Sequence, residues 1–367
     1  MKLRVVSFIL AVLCCATVFT SCSERSEDGS DSDGSGDYIQ TESASEQSNP
    51  EVNETYYNNL TGCTVAGSKS KESLRPVAIM INNLGKAQKV HTGLADASIV
   101  YETFVEGGIT RLLAVYKDVA SVGEIGTVRS ARYSYVDLAN GHDALYFHCG
   151  LDSNYCGAYM DKLKLDNINI NTGVFGDYGY RVNNGLEREH TMYTTGEKVA
   201  AAMTDHDRRT QKGNAHTELY NAWQNFAAED ETVTLTGGTA NNVSAFFSSS
   251  YVTKFAYDEN SGKYVKSNKS GNNTDYRTGE KLSYKNVLVL FTTVGNFSDN
   301  YRVYSELKGG SGYYFTNGTY VKIKWSKGGS YDPIKITDEN GAAVKYSAGN
   351  TYVCITSNSA KDKTTIS

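Results

Sequence analysis

The order of short apolar runs along the chain constrains its fold more than any other feature of the sequence. Between about residues 61 and 230, runs such as PVAIMINN and HDALYFHCG are typical of buried strands. They alternate with helical spacing over residues 130–139, 155–163, 197–207 and 219–226. The motif Glu106-Gly107-Gly108 predicts a turn between two further strands. This order predicts an α/β (α+β) N-terminal domain, residues 61–230, with a mixed sheet and helices.

After residue 230 the helical spacing stops and only strand-like runs remain. These runs are rich in Val, Thr, Tyr and Phe and are separated by Asn-Gly and Gly-Gly turns. They are VTLTGG, SAFFSSS, NVLVLFTTV, GYYFTNGTYVKIKWSKG, DPIKITDENGAAVKYSAG and NTYVCITS. The pattern predicts a smaller, mostly-β C-terminal domain over residues 231–367.

The first 21 residues have the pattern of an export signal. Lys2 and Arg4 precede an apolar run from Val5 to Phe19. This run is too short for a membrane-spanning helix, which needs roughly 20 apolar residues. The sequence Phe19-Thr20-Ser21-Cys22 resembles a bacterial lipobox, in which the cysteine carries the lipid. The alternative is ordinary signal cleavage nearby, which would leave Cys22 as an odd thiol.

Residues 22–60 are predicted to form an acidic, disordered tether. From Ser23 onward this segment has ten acidic residues, against Arg25 alone. Such a composition buries too little apolar surface to offset the entropy of ordering. The formal charge of the whole chain is -5, but without the signal and the tether it is near +2. Nothing in this balance indicates nucleic-acid binding.

Four cysteines remain after the signal and Cys22: Cys63, Cys149, Cys156 and Cys354. An exported protein permits disulfides, and an even number of cysteines is consistent with them. Cys149 and Cys156 are the local candidate pair. Free buried cysteines are the alternative.

The segment EIGTVRSARYSY places two arginines just before a predicted helix. Arg129 and Arg132 are three residues apart, and Ser130 is a candidate N-cap of that helix. The first turn of a helix stabilises an anion, and guanidinium groups match phosphate or carboxylate. Arg111, which follows the Gly-Gly turn, could supply a third guanidinium. The candidate anion site is therefore Arg111, Arg129, Ser130 and Arg132.

A structural role for the same arginines stays open. Each could pair with a carboxylate such as Glu102, Glu106 or Asp137 and hold the sheet to the helix. Replacing an arginine would then leave a carboxylate unpaired in the interior. Both interpretations explain the residues.

Several motifs resemble those of the YerB-type lipoprotein family. In the first half they are RPVAIMINN, ADASIVYETFVEGGITRLLAVY, EIGTVRSARYSYVDLA and HTMYT. Downstream they are GSGYYFTNGTYVKIKWSK and ITDENGAAVKYSAGNTYVCI. The resemblance implies an α/β N-terminal domain, a smaller C-terminal domain and a place in the cell envelope. It implies no chemistry, because the family is one of unknown function.

The layout around Asp96 and the arginines is also distantly similar to the LytR-CpsA-Psr phosphotransferases. That similarity implies a metal-dependent phosphotransferase or phosphohydrolase acting on lipid-linked envelope glycans. Asp96 would hold Mg²⁺, and the arginines would stabilise charge on phosphate. Glu102, Glu106, His148 and His190 are the further metal or supporting candidates. The arginine-aspartate sequence of those enzymes is missing, because Arg129 precedes Ser130 and Arg132 precedes Tyr133.

The sequence therefore predicts a lipid-anchored lipoprotein on the outer face of the bacterial cytoplasmic membrane. We expect it to bind an anionic glycan, a lipid phosphate or a protein partner rather than to act as an enzyme. No cofactor is expected, and Mg²⁺ belongs to the phosphotransferase alternative alone.

Overall fold

The computed structural model describes residues 54–213, 224–269 and 271–367. Its α-helices are α1 (Tyr133–Asn140), α2 (Ala158–Leu163) and α3 (Gly196–Asp205). Its strands, in chain order, are β1 (Thr55–Asn58), β2 (Cys63–Ala66), β3 (Val77–Asn82), β4 (Ile99–Phe104), β5 (Thr110–Tyr116), β6 (Glu124–Gly126), β7 (Leu145–His148), β8 (Asn167–Asn169), β9 (Tyr180–Arg181), β10 (Met192–Thr195), β11 (Asn225–Phe226), β12 (Asn242–Phe246), β13 (Val252–Asp258), β14 (Lys263–Asn268), β15 (Gly271–Asn272), β16 (Ser283–Tyr284), β17 (Asn286–Thr292), β18 (Val294–Asn296), β19 (Val303–Ser305), β20 (Gly309–Thr316), β21 (Thr319–Ser326), β22 (Lys335–Asp338), β23 (Lys345–Tyr346), β24 (Thr351–Ser357) and β25 (Thr365–Ile366).

A ten-stranded mixed sheet forms the centre of the fold. Its strand order is β22-β21-β20-β17-β24-β4-β5-β3-β7-β8. The first five strands in this order come from the second half of the chain, and the last five come from the first half. The two blocks join where β24 pairs in parallel with β4, with Cys354 opposite Glu102. The predicted fold class, α/β (α+β) with a mixed sheet followed by a mostly-β part, is confirmed.

Both faces of the central sheet are covered, which explains why β3, β4 and β5 are apolar almost throughout. Alternate residues of β3 belong to opposite cores: Ile79 lies in one and Met80 in the other. The first core includes α3 and a six-stranded sheet of β12–β16 and β25. The second core includes α1 and α2. Strands buried on both faces need a continuous apolar sequence rather than an alternating one.

The helices broadly follow the sequence periodicity, but their starts differ. Helix α3 begins one residue before the predicted start, whereas α1 begins at Tyr133 rather than at Ser130. Helix α2 is preceded by a π-helical turn over Ser153–Gly157, in which the Asp152 side chain accepts two backbone N–H groups. The helix predicted over residues 219–226 lies mostly outside the described residues, and Asn225–Phe226 is a short strand.

The folded part also begins earlier than the predicted tether boundary at residue 60. Thr55–Asn58 forms β1, which pairs antiparallel with β2. Tyr56 is buried, and it gives this polar segment an apolar anchor that its overall composition does not reveal. Farther along the chain, VTLTGG was predicted as a strand but forms none. Conversely, β13 and β14 are strands that the apolar pattern did not predict. No helix in the described part of the chain is long and apolar enough to cross a membrane.

Candidate anion-binding site

The segment that carries the candidate arginines is inserted between two parallel strands. β3 and β7 pair only as far as Ile79 and Phe147, and beyond these residues the strands separate. Arg129 enters the gap, where its N–H donates to the Met80 carbonyl (2.8 Å) and its own carbonyl accepts from the Cys149 N–H (3.1 Å). The backbone is thus fixed at the carboxyl ends of β3 and β7, while the Arg129 side chain is half-buried.

Arg111 reaches the same place from β5. Its guanidinium donates through Nη1 to the Ser130 carbonyl, and the residue is 5% exposed. Within the described residues, no carboxylate lies within ion-pair distance of Arg111. The pKa of Arg111 is lowered to about 9, first by burial and then by the charges of Arg132 and Arg129. Arg111 is therefore a buried cation whose close neighbours include two further cations.

Arg129 is also weakly compensated. Its nearest carboxylate is that of Glu189, with Nη2 and Oε1 4.0 Å apart and the glutamate side chain half exposed. Burial lowers the pKa of Arg129, the nearby Glu189 carboxylate opposes that shift, and Arg132 adds to it. At this separation and exposure the pair contributes little to stability.

Arg132 has the opposite character, because it is firmly paired. Its Nε lies 2.7 Å and 2.9 Å from the two carboxylate oxygens of Glu106, and its Nη1 donates to the Ala131 carbonyl. Glu106 is buried, and Arg302 approaches the same carboxylate at 3.7 Å. The structural role that the sequence left open for the arginines is therefore observed for Arg132. Glu102 and Asp137 have other partners: Asp137 accepts a hydrogen bond from Tyr159.

The charges at this edge do not balance. The Arg132 charge adds to the effect of burial in lowering the pKa of both Arg111 and Arg129, and Glu106 is the one carboxylate that closely pairs with any of the three in the described residues. Buried cations are stable when they are paired and hydrogen-bonded. An anion with two or three oxygens would supply what Arg111 and Arg129 lack. The arrangement can bind phosphate or carboxylate.

Two family models match the chain across most of its length. The model described as "Protein of unknown function (DUF3048) N-terminal domain" matches residues 60–210, and that of the C-terminal domain matches residues 242–353. The chain belongs to the DUF3048 family. The family is described as one of unknown function.

A curated relative and a solved structure agree with this assignment. The chain is 26% identical over 304 residues to a protein of Bacillus subtilis (strain 168) named "Putative lipoprotein YerB". That match covers 79% of this chain and 85% of the relative. The crystal structure of the YerB protein from Bacillus subtilis is similar with a TM-score of 0.68 at 23% identity, covering 85% of this chain and 99% of that one. The family match, the relative and the shared fold together confirm the resemblance to the YerB-type proteins.

In this DUF3048 chain, Ser130 does not have the role that its position indicated. Helix α1 starts three residues later, with Arg132 preceding it and no side-chain cap. The backbone on either side of Ser130 is bonded to β3 and to Gly150, so it cannot enter the helix. Ser130 contributes its carbonyl to Arg111, and its half-buried hydroxyl lies beside Gly150.

The metal candidates do not form one cluster: Glu106 is paired with Arg132, whereas Glu102 and Asp96 have other surroundings. Glu102 is fully buried, and its carboxylate accepts from Asn83, Thr110, Thr253 and Tyr352 at 2.6–3.0 Å. Asp96 lines a separate cavity. Among the residues that the structure describes, no group of three His, Cys, Asp or Glu side chains could hold a metal ion.

The two candidate histidines differ in position. His148 is buried, and its ring nitrogens face the Gly150 carbonyl (2.8 Å) and Asn167 Oδ1 (3.2 Å). His190 lies nearer to the arginine edge: its Nδ1 accepts from Asn82 (2.8 Å), and Arg129 is among the charges that lower its pKa, after burial. His148 is thus a hydrogen-bonded core residue, and His190 supports the loop that carries Glu189.

Of the two alternatives for Cys149 and Cys156, a local disulfide or free buried cysteines, the structure shows free thiols. All four cysteines in the described residues are free thiols. The Cys149 thiol is directed to Asn171 Oδ1, whereas the Cys156 thiol packs on Met160 Sδ in the core below α2. Their different partners explain why closeness in sequence does not bring the two sulfur atoms together. Burial raises the pKa of Cys156 to about 12, so this thiol is unreactive.

Two further residues of this edge, Arg302 and Asp152, are not among those predicted from the sequence. Arg302 follows the turn between β18 and β19 and lies 3.6 Å from Asp152 and 3.7 Å from Glu106. The turn is held to the first half of the chain by Phe297, which stacks on Tyr155 with ring centroids 4.2 Å apart. No local pattern links positions so distant in sequence. Asp152 could have been recognised as a cap, because it precedes a helical segment.

Proposed function

We propose that this protein is a lipid-anchored extracytoplasmic lipoprotein that binds an anionic envelope ligand at its arginine-bearing edge. The proposal rests above all on Arg111 and Arg129, two cations without a closely paired carboxylate in the described residues. Arg111 is buried beside Arg129 and Arg132, and burial of like charges together is unfavourable unless an anion joins them.

The position of these side chains supports the same conclusion. Ligands of α/β sheets bind beyond the carboxyl ends of parallel strands where neighbouring strands diverge. β3 and β7 diverge in this way, and the segment between them carries Arg129. Guanidinium groups favour planar, bidentate recognition, which suits a phosphate or a carboxylate of a glycan or lipid phosphate.

The membrane anchor rests on the sequence and on the name of the relative. The lipobox-like Phe19-Thr20-Ser21-Cys22 would provide the lipidated Cys22. The relative from Bacillus subtilis is named a lipoprotein, which supports lipidation of this chain at the cell envelope. The outer face of the cytoplasmic membrane is the proposed location, and the acidic segment up to residue 53 would set the reach of the anchor.

Binding is proposed rather than catalysis, because no observation favours the phosphotransferase alternative. That chemistry would need Asp96 and other metal ligands beside the arginines. Asp96 instead lines a cavity that contains none of the candidate arginines, and Glu102 is closed off by its four hydrogen bonds. A protein partner with an acidic side chain would use the same guanidinium groups as a phosphate would.

A ligand titration tests the proposal. The chain from Ser23 onward, prepared without the lipid, is mixed with increasing inorganic pyrophosphate while its melting temperature is measured. Binding to the native state stabilises it by about 2.7 kcal/mol at a ligand concentration of 100 Kd. We expect a saturable rise for the wild type and none for Arg129→Ala, whose own stability should be nearly unchanged.

The matched control is Arg277→Ala. Arg277 is exposed and pairs with Glu124 rather than with a residue of the candidate site, so this variant should respond to pyrophosphate like the wild type. A second arm with a polyprenyl phosphate in detergent separates lipid phosphate from free phosphate. If the wild type responds to neither ligand, or if Arg129→Ala responds as strongly as the wild type, the arginine edge is not the anion site. A response that requires Mg²⁺ and releases phosphate would favour the enzyme instead.

A further inference from the structure

A cavity of about 480 Å³ lies at the opposite ends of the central strands from the arginine edge. Its walls include the residues just before β4 (Ala95–Ser98), before β17 (Lys285) and before β24 (Asn350), together with the β1–β2 hairpin. The arginine edge instead lies where β3 and β4 end, since Arg111 pairs with Asn82 and Thr103. The cavity is therefore a separate site, independent of the proposed anion binding.

The walls are connected to each other, so the cavity is preformed. The Gly349 N–H donates to the Thr61 carbonyl (2.7 Å), which ties the hairpin to the loop before β24. The Lys285 N–H donates to Asn350 Oδ1 (3.0 Å), and Asn58 donates to Ser98 Oγ (3.3 Å). A preformed cleft of roughly 300–1,000 Å³ with a few polar groups is typical of a small-molecule site.

One pole of the cavity is basic. Lys263 and Lys285 both line it. Burial lowers the pKa of Lys285, and the nearby Lys263 charge lowers it further. Lys285 donates to Asn317 Oδ1 (2.7 Å) and to the Gly262 carbonyl (3.2 Å), which are neutral acceptors. Within the described residues, neither lysine has a carboxylate within 4.0 Å. This pole lacks an anion.

The other pole is acidic. Asp96 lines the rim and has no ion pair in the part of the chain that the structure describes. Its pKa is raised by partial burial and by the neighbouring carboxylates of Asp275 and Glu280, so negative charge accumulates there. Asp118, a second acidic residue of the lining, is already neutralised by Lys71 at 2.7 Å. Lys117, the third lysine of the lining, donates to the Glu72 and Leu74 carbonyls (2.7 Å and 3.0 Å), and within the described residues the Asp96 carboxylate has no cation within 4.0 Å.

We infer that this cavity binds a small zwitterionic ligand of the short-peptide class. Lys263 and Lys285 bind its carboxylate, and Asp96 binds its ammonium group. The amides and hydroxyls between the two poles, those of Asn58, Ser98 and Asn350, suit the peptide group, which both donates and accepts hydrogen bonds. A ligand that places one charge at each pole satisfies both at once, whereas an inorganic ion satisfies only one.

The test uses alanyl-alanine and two derivatives that each remove one charge. Calorimetric titration of the chain from Ser23 onward should detect binding of alanyl-alanine. N-acetyl-alanyl-alanine, which lacks the ammonium group, and alanyl-alanine amide, which lacks the carboxylate, should each bind at least about tenfold more weakly. Lys263→Gln and Asp96→Asn should weaken the free dipeptide by a similar factor.

Both substitutions replace side chains for which the structure gives no hydrogen bond, so the fold should tolerate them. Lys254→Gln is the matched control, because Lys254 is an exposed lysine on β13 outside the cavity. Arg129→Ala should bind alanyl-alanine like the wild type, which separates this site from the arginine edge. The inference is overturned if alanyl-alanine does not bind. It is also overturned if the acetylated dipeptide binds equally well, or if neither Lys263→Gln nor Asp96→Asn changes the affinity.

Discussion

Replacing Arg132 and replacing Arg129 should have very different effects on stability, although the two changes are chemically identical. Arg132→Ala removes both hydrogen bonds from Nε to Glu106, at 2.7 Å and 2.9 Å, and leaves a carboxylate whose side chain is 8% exposed. Breaking a buried ion pair from one side destabilises a protein by about 3–5 kcal/mol. Arg302 remains 3.7 Å from Glu106 and partly compensates it. We therefore expect a loss of about 3 kcal/mol for Arg132→Ala.

Arg129→Ala removes a side chain whose nearest carboxylate is 4.0 Å away and half exposed. Pairs of this kind contribute about 1 kcal/mol or less. Removing Arg129 also relieves its repulsion of Arg111 and Arg132, which offsets part of the lost packing. We expect the free energy of unfolding of Arg129→Ala to stay within about 1 kcal/mol of the wild type.

Urea unfolding at neutral pH measures both values, and a melting shift of about 5 °C should accompany the Arg132 change. A double-mutant cycle of Arg132→Ala with Glu106→Gln should give a coupling energy of about 2 kcal/mol, because the two side chains share their bonds. Equal losses for Arg129→Ala and Arg132→Ala would contradict this prediction, since both arginines would then be structural. A coupling energy near zero would show that the Arg132–Glu106 pair does not stabilise the fold.

Three further predictions concern buried groups. Glu102→Gln should lower the free energy of unfolding by about 3 kcal/mol, measured in urea, because an amide cannot accept all four hydrogen bonds made to the carboxylate. Gly196→Ala should cost about 1–3 kcal/mol, because its new Cβ would lie 1.9 Å from the Val119 carbonyl oxygen in the segment between β5 and β6, whereas Gly85→Ala, with open space around it, should be nearly neutral. The free energy of unfolding should fall as the pH drops from about 6.5 towards 4. Burial lowers the pKa of His91 to about 4 and that of His142 to about 3, so in this range the unfolded chain binds protons that the folded chain does not bind. The slope reaches about 1.4 kcal/mol per pH unit for each histidine, and His142→Asn should reduce it.

The sequence predicts the central strands well because strands that are buried on both faces have continuous apolar sequences. A strand such as β3, covered by α1 and α2 on one side and by a second sheet on the other, must be apolar throughout. Helix α3 is also predicted well, because its buried face gives apolar residues at helical spacing while its other face is exposed to solvent. The strands β13 and β14 were missed because their polar, exposed positions interrupt the apolar pattern.

The candidate site was only half predictable, for a reason that Ser130 illustrates. Its residue type favours a helix cap, and its position before α1 agrees. The backbone around it is nevertheless bonded to β3 and to Gly150, so tertiary pairing overrides the local preference. The charge on Arg132 could be read from sequence, but its pairing with Glu106 and the nearby Arg302 depends on contacts between distant parts of the chain.

The two halves of the chain are less independent than their sequences indicate. β4 is paired on one side by β5 and on the other by β24, so without the second half its edge and its apolar face would both be exposed. Glu102 of β4 accepts from Thr253 and Tyr352, both from the second half. Arg302 from that half also reaches Glu106 beside the candidate arginines. A boundary near residue 230 therefore separates two kinds of sequence pattern, whereas the charge balance of the arginine edge requires residues from both sides of it.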